Sequence, residues 1–93
     1  MDTKIYNQAL NPDPLANLQG RNVVVGAKQL KKALAAGKVN LVILAENADP
    51  ALTEPIEKLC LGNQIHCAWV SSMTELGHAC GIDVGAAAAA VVK

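Results

Sequence analysis

Phenylalanine does not occur in this sequence, and tryptophan and tyrosine occur once each. A core without aromatic bulk has to be filled by Val, Leu, Ile and Ala, and side chains of that size suit closely packed layers. No apolar stretch approaches the roughly 20 residues that a bilayer span requires, and no basic segment leads into an apolar one near the start. The expectation is a soluble, cytoplasmic chain that makes no use of a membrane. Cysteine is also scarce: Cys60, Cys67 and Cys80 are odd in number and show no C-x-x-C spacing. That argues against a disulfide framework and for reduced thiols buried as small core residues. A zinc site drawing Cys67 and Cys80 together with His66 and His78 lacks the spacing of a zinc knuckle, so neither metal nor cofactor is expected.

Several kinds of chemistry lack their motifs as well. Val23-Val24-Val25-Gly26 could open a nucleotide-binding unit, but no G-x-G-x-x-G and no P-loop lysine with its serine or threonine follows. Cys67 or Cys80 paired with His66 or His78 has no triad motif around it. Glu54 and Glu57 lie one turn apart, as on a solvated helix face rather than as an acid/base pair, and Trp69 stands alone in a strand, where packing explains it better than base stacking. No catalytic residue is assigned.

Acid is missing from one long stretch. Between Pro14 and Ala45 the charged residues are Arg21, Lys28, Lys31, Lys32 and Lys38, all basic, whereas from Glu46 onward Glu46, Asp49, Glu54, Glu57, Glu75 and Asp83 face only Lys58 and Lys93. A formal net charge of zero and a pI near 6.7 would not mark a polyanion binder. The distribution predicts a basic pole on an otherwise acidic molecule.

The chain of 93 residues is long enough for one domain with one core. Residues 1–20 are the least defined part: Ile5, Ala9 and Leu10 fit one face of a short helix, Asn11-Pro12-Asp13-Pro14 breaks it, and Leu15 and Leu18 are expected to pack on the domain. Val23–Val25 reads as a strand, and Ala27, Leu30, Ala33 and Leu34 repeat at helical spacing up to a C-cap at Gly37. Val39–Ala45 is a continuous apolar run, as for a strand covered on both faces. Asp49 is placed to cap a helix starting at Pro50, with Leu52, Ile56, Leu59 and Cys60 as its buried face and Gly62-Asn63 as its end. Ile65–Val70 reads as a third strand, Ser72 and Glu75 form a capping box for a helix closed by Gly81, and Ala87–Val92 completes the sheet as a strand. This order predicts an α/β fold, a three-layer α/β/α sandwich around a small mixed sheet of about four strands.

In such folds ligands meet the ends of strands and the starts of helices, which is where Gly26 lies. Lys28, Gln29 and Lys32 stand three and four apart, on adjoining parts of one helical surface. Lysine donates to phosphate or to guanine O6 and N7, and a glutamine amide donates and accepts at a base edge, so the set suits nucleic acid better than a lone phosphate.

Three segments carry a further likeness. Val25-Gly26-Ala27-Lys28-Gln29-Leu30-Lys31-Lys32-Ala33 resembles the G-x-K-Q-x-x-K signature of the kink-turn-binding ribosomal protein superfamily, the large-subunit seven-Ae and thirty-e type. Leu41–Pro50 resembles its second strand and following turn, and Glu75-Leu76-Gly77-His78-Ala79-Cys80-Gly81 its E-L-G-x-A-C-G motif. The resemblance implies a protein, monomeric when free, that binds structured RNA in which tandem sheared G·A pairs adjoin a bent three-nucleotide bulge, with other ribonucleoprotein proteins as further candidate partners. Gly26 would let backbone approach the RNA, and Lys28, Gln29, Lys31, Lys32 and Glu46 would contact guanines and phosphates. Ile82, Asp83, Val84, Gly85 and Ala86 would cover the splayed bulge. The archaeal and small nucleolar branches typically carry Asn and Glu where this chain has Lys28 and Gln29, so the bacterial type is nearer. Asn11–Ala16 is similar to the nucleolar branch, membership of which would imply a nucleolar location, but the longer first helix of that branch is missing. A protein-interaction module on the same fold, with the acidic stretch Glu46–Glu57 as its working face, is the alternative reading.

Overall fold

The computed structural model describes Leu15, Leu18 and residues 21–93. The helix expected around Ile5, Ala9 and Leu10, and the break at Asn11–Pro14, lie outside the described residues. Within them the order is β1 (Asn22–Val25), α1 (Ala27–Ala35), β2 (Val39–Ala45), α2 (Pro50–Asn63), β3 (His66–Val70), α3 (Met73–Ala79) and β4 (Ala88–Val92).

The four strands form one sheet in the order β1-β4-β2-β3. Strand β4 runs antiparallel to both β1 and β2, whereas β2 and β3 are parallel. So β1, β2 and β3 point one way and β4 returns between them. A register shift between Val39 and Leu41 leaves Asn40 exposed, as expected of a bulged residue.

Alternate residues of each strand feed two cores. On one face Leu30 and Leu34 of α1 and Ile56 and Cys60 of α2 pack with Val42, Leu44, Ala88 and Ala90. On the other, Leu76 of α3 packs with Leu41, Ile43, Val70, Ala89 and Val91, joined by Leu18 and flanked by Leu15. This is the expected three-layer sandwich. The alanines of β4 are buried on both faces, which lets the larger Leu30, Leu34 and Leu76 fill the layers above and below the central strand.

Capping chemistry sets the helix ends. Asp49 Oδ1 accepts from the Ala51 N–H at 2.9 Å, and Ser72 Oγ accepts from the Glu75 N–H at 3.1 Å. The reciprocal half of the capping box is redirected, because Ser71 Oγ donates to Glu75 Oε1 at 2.8 Å. At the end of α1, Lys38 N–H donates to Ala33 C=O and Gly37 N–H to Leu34 C=O, both at 3.1 Å, a Schellman motif with Gly37 at φ 69°.

Helix α2 ends at Asn63, as expected, but its buried face departs from the expected pattern. Its inward stripe is Thr53, Ile56 and Cys60, and Leu52 and Leu59 are exposed at 46% and 39%. Both leucines sit on the flank of the stripe, so hydrophobicity alone overextended the buried face. The residue that follows Asn63 and caps α2 is Gln64, in the left-handed region at φ 58°. A glutamine there carries a Cβ that clashes with its own carbonyl, a strain glycine avoids. Gln64→Gly is therefore expected to stabilise the protein by about 0.5–1 kcal/mol, read as a Tm rise of a few degrees in a thermal melt.

Candidate nucleic-acid interface

Because β1, β2 and β3 are co-directional, their C-terminal ends and the start of β4 fall on one edge of the sandwich. Gly26 N–H donates to Ala88 C=O at 2.9 Å, Ala45 N–H to Ala87 C=O at 3.0 Å and Glu46 N–H to Val70 C=O at 2.8 Å. These bonds lay Gly26, Ala87, Glu46 and Ser71 side by side in strand order, along a row of roughly 15 Å at the usual strand spacing.

Gly26 sits at φ 98°, ψ 147°, close to a region that glycine alone occupies comfortably. It forms the N-cap of α1, and its carbonyl accepts from the Leu30 N–H at 3.0 Å. Among the described residues no side chain caps this helix, and no acid stands in its first turn. The first-turn N–H groups and the positive end of the macrodipole are thus left for an external acceptor. Leu30, fully buried, and Leu34 fix the rotation of α1, which turns Lys28, Gln29, Lys31 and Lys32 outward. Lys28 and Gln29 stand at the sheet edge, and Lys31 and Lys32 lie about one helical turn further from it.

The predicted basic pole is narrower than the charge count implied. Arg21 precedes β1, Lys38 precedes β2 and Lys93 follows β4, so these three lie at the opposite end of the sheet. Among the described residues, positive charge near the edge reduces to the strip Lys28, Lys31 and Lys32, with the exposed acids Glu46 and Asp83 at the same end.

The loop between α3 and β4 folds back across α3. Ile82 N–H donates to Gly77 C=O at 3.0 Å and Gly81 N–H to His78 C=O at 3.0 Å, a second Schellman motif with Gly81 at φ 81°. Ala86 N–H then donates to Met73 C=O at 3.0 Å. Of the five predicted loop residues, Ile82 packs against the core and Ala86 is buried within it. Asp83, Val84 and Gly85 are exposed, and Val84, at 69%, presents the loop's one outward apolar side chain. With Thr74 and His78 the loop borders a shallow cavity of about 170 Å³.

Two supports of this loop, Gly77 and Asn47, lie outside the predicted site. A methyl group added at Gly77 would overlap the Val84 carbonyl oxygen, and one at Gly85 would come within 3.1 Å of Met73 Cβ. Glycine at both places lets backbone pass directly over α3. Asn47 Oδ1 accepts from the Met73 N–H at 2.8 Å across 26 positions of sequence. Gly77 and Asn47 stand in segments whose likeness to the superfamily was noted, but the contacts themselves have no local signature.

The cysteines and histidines do not converge. Cys60 and Cys67 lie on the α1/α2 side of the sheet and Cys80 on the α3 side. Burial pushes the thiols of Cys60 and Cys80 above their ordinary range and that of Cys67 up to about 12. In all three, burial favours the neutral thiol over the thiolate. Among the described residues no group of three His, Cys, Asp or Glu could hold a metal ion, and no helix is long and apolar enough to cross a membrane.

The family model described as the ribosomal protein L7Ae/L30e/S12e/Gadd45 family matches residues 8–93. The chain belongs to this family. The chain is also similar to bacterial proteins: an RNA-binding protein of Bacillus pumilus is 43% identical over 74 residues, covering 80% of this chain and 90% of its own length. RNA-binding protein TTE2299 of Caldanaerobacter subterraneus is 45% identical over 69 residues, 74% of this chain and 84% of that protein. Among solved structures, the Giardia lamblia 15.5kD RNA binding protein superposes with a TM-score of 0.74 at 30% identity, over 85% of this chain. The match spans 65% of that longer Giardia chain. A Bacillus halodurans protein of unknown function gives a TM-score of 0.73 at 28% identity, over 82% of this chain and 76% of its own.

Proposed function

We propose that this member of the L7Ae/L30e family binds RNA along the edge formed by α1 and the α3–β4 loop, and that its preferred target is a kink-turn. The observation that carries this reading is the juxtaposition of an uncapped, basic helix start with an exposed apolar loop, tied to adjacent strands through Gly26–Ala88 and Ala45–Ala87. A site for phosphate alone has no use for Val84. RNA that offers both a charged backbone and unstacked bases uses both halves. The RNA-binding names of the bacterial relatives and of the Giardia protein support the same direction.

In this reading the α1 N–H groups and Lys28 take phosphate or guanine acceptors, and Gln29 reads the edge of a sheared G·A pair. Lys31 and Lys32 follow the backbone away from the edge. Glu46 and Asp83 accept hydrogen bonds from base amino groups, which are donors that lysine cannot satisfy. Val84 covers an unstacked bulge base, with Ile82, Gly85 and Ala86 shaping the loop beneath it. Binding the bent form alone shifts the RNA's own equilibrium toward the bend, so the protein acts as an assembly or regulatory component of a cytoplasmic ribonucleoprotein, such as the ribosome.

The test is a titration of kink-turn RNA against a straight duplex at two salt concentrations. The kink-turn is expected to bind at least tenfold more tightly than the duplex, and Lys32→Ala to weaken it by roughly tenfold while lowering the salt slope by about one. Gln29→Ala is expected to reduce discrimination against a disrupted G·A pair, with little change in that slope. Equal, weak binding to both RNAs would sink the kink-turn assignment.

A further inference from the structure

The loop Ile82–Ala86 is held in place from a distance, and the chain of contacts that holds it starts at Asn47. Met73 is the first residue of α3, and its N–H is one of the groups a helix start leaves without an internal partner. Ser72 Oγ satisfies the Glu75 N–H of the same turn, and Asn47 Oδ1 takes the Met73 N–H at 2.8 Å. The Met73 carbonyl in turn accepts from Ala86 N–H at 3.0 Å, and Gly85 lies over the Met73 side chain. One peptide segment is therefore gripped on its N–H side by the β2–α2 turn and grips the recognition loop on its C=O side. Glu46, next to Asn47, is itself pinned to Val70.

We infer that Asn47 is a positioning residue for RNA recognition: it sets the spacing between the Glu46 turn and the Val84 loop without touching RNA. The inference rests on the RNA-binding reading of the loop and names a residue outside it. The residue type fits the task. The acceptor oxygen is all that the contact with Met73 uses, so a carboxylate replaces it there, and alanine offers nothing. Asn47 acts as a second cap on α3, contributed by a turn 26 residues earlier in the chain.

The experiment compares full-length parent, Asn47→Ala and Asn47→Asp by amide hydrogen exchange of the free protein and by kink-turn RNA titration at two salt concentrations. Asn47→Ala is expected to speed exchange at Met73 and Ala86 and to weaken RNA binding by roughly fivefold, as for loss of one neutral hydrogen bond, with the salt slope unchanged. Asn47→Asp restores the slow exchange at both amides. Weakened binding with unaltered exchange at Ala86 would overturn the inference, because Asn47 would then act on RNA directly. Faster exchange with unaltered affinity would overturn it too, since the loop's placement would not matter. Failure of the parent itself to prefer the kink-turn would count against the functional reading, and the exchange data would still decide whether Asn47 holds the loop.

Discussion

Gly77→Ala is expected to destabilise the protein by about 2–3 kcal/mol and to lower its Tm by roughly 10 °C or more, although alanine is the better helix former. The sign follows from what lies beyond the helix. Gly77 is buried in α3, and the α3–β4 loop crosses it so closely that a methyl group would overlap the Val84 carbonyl oxygen. Backbone on both sides leaves no flexible side chain to yield. Gly62 in α2 supplies the matched control, because a methyl group there meets nothing within 4 Å. Gly62→Ala should accordingly stabilise by about 0.5–1 kcal/mol, the ordinary helix preference for alanine. Thermal melts of the two variants are thus expected to move in opposite directions. If both rose together, the close crossing of loop over α3 would be wrong. RNA binding by Gly77→Ala, measured well below its Tm, is expected to fall at least tenfold, because Val84 and Asp83 are displaced with the backbone they stand on.

That contact also marks the boundary of what could be read from the chain alone. The order of strands and helices, the caps at Asp49 and Ser72 and the outward set Lys28, Gln29 and Lys32 rest on periodicity and on neighbours within four positions, and these were legible. So was the alanine-rich β4, where the terminal Val91 and Val92 argued for strand against alanine's own helix propensity. The structure supplies the reason: β4 is the central strand and its small residues sit under Leu30 and Leu76. The misreadings at Leu52 and Leu59 arose because the inward face of α2 is set by how the helix leans on β2, β3 and α1. Thr53 took a buried position that hydrophobicity would have given to a leucine. The Asn47–Met73 bond and the Gly77–Val84 approach join residues that no local pattern relates. The charge pattern misled for the same reason. An acid-free run of sequence became two groups of cations at opposite ends of the sheet, since each strand carries the chain from one end to the other.

Lys28→Glu is expected to separate folding from recognition most sharply. The first turn of α1 carries a lysine, no acid and no side-chain cap, an arrangement unfavourable to the helix because its positive charge stands at the positive end of the macrodipole. An acid at this position interacts favourably with the same end, by about 0.3–1 kcal/mol at low salt. The free variant is therefore expected to melt at the parent's temperature or slightly above it. RNA binding goes the other way. At the proposed site the substitution would remove a charge-assisted contact of about 1.5–3 kcal/mol and place a carboxylate against phosphate, so affinity should fall by thirtyfold or more at low salt. The salt slope should drop by at least one, and the loss should shrink as salt is raised, since screening weakens attraction in the parent and repulsion in the variant. A residue that merely solvates an amphipathic helix would show the gain in stability without the loss of binding. Unchanged affinity in a folded Lys28→Glu protein would thus remove Lys28 from the site and leave Gln29, Lys31 and Lys32 to carry α1's share. Joint loss of binding and of stability would show that α1 tolerates no acid at its start, contrary to the open N-terminus seen beside Gly26.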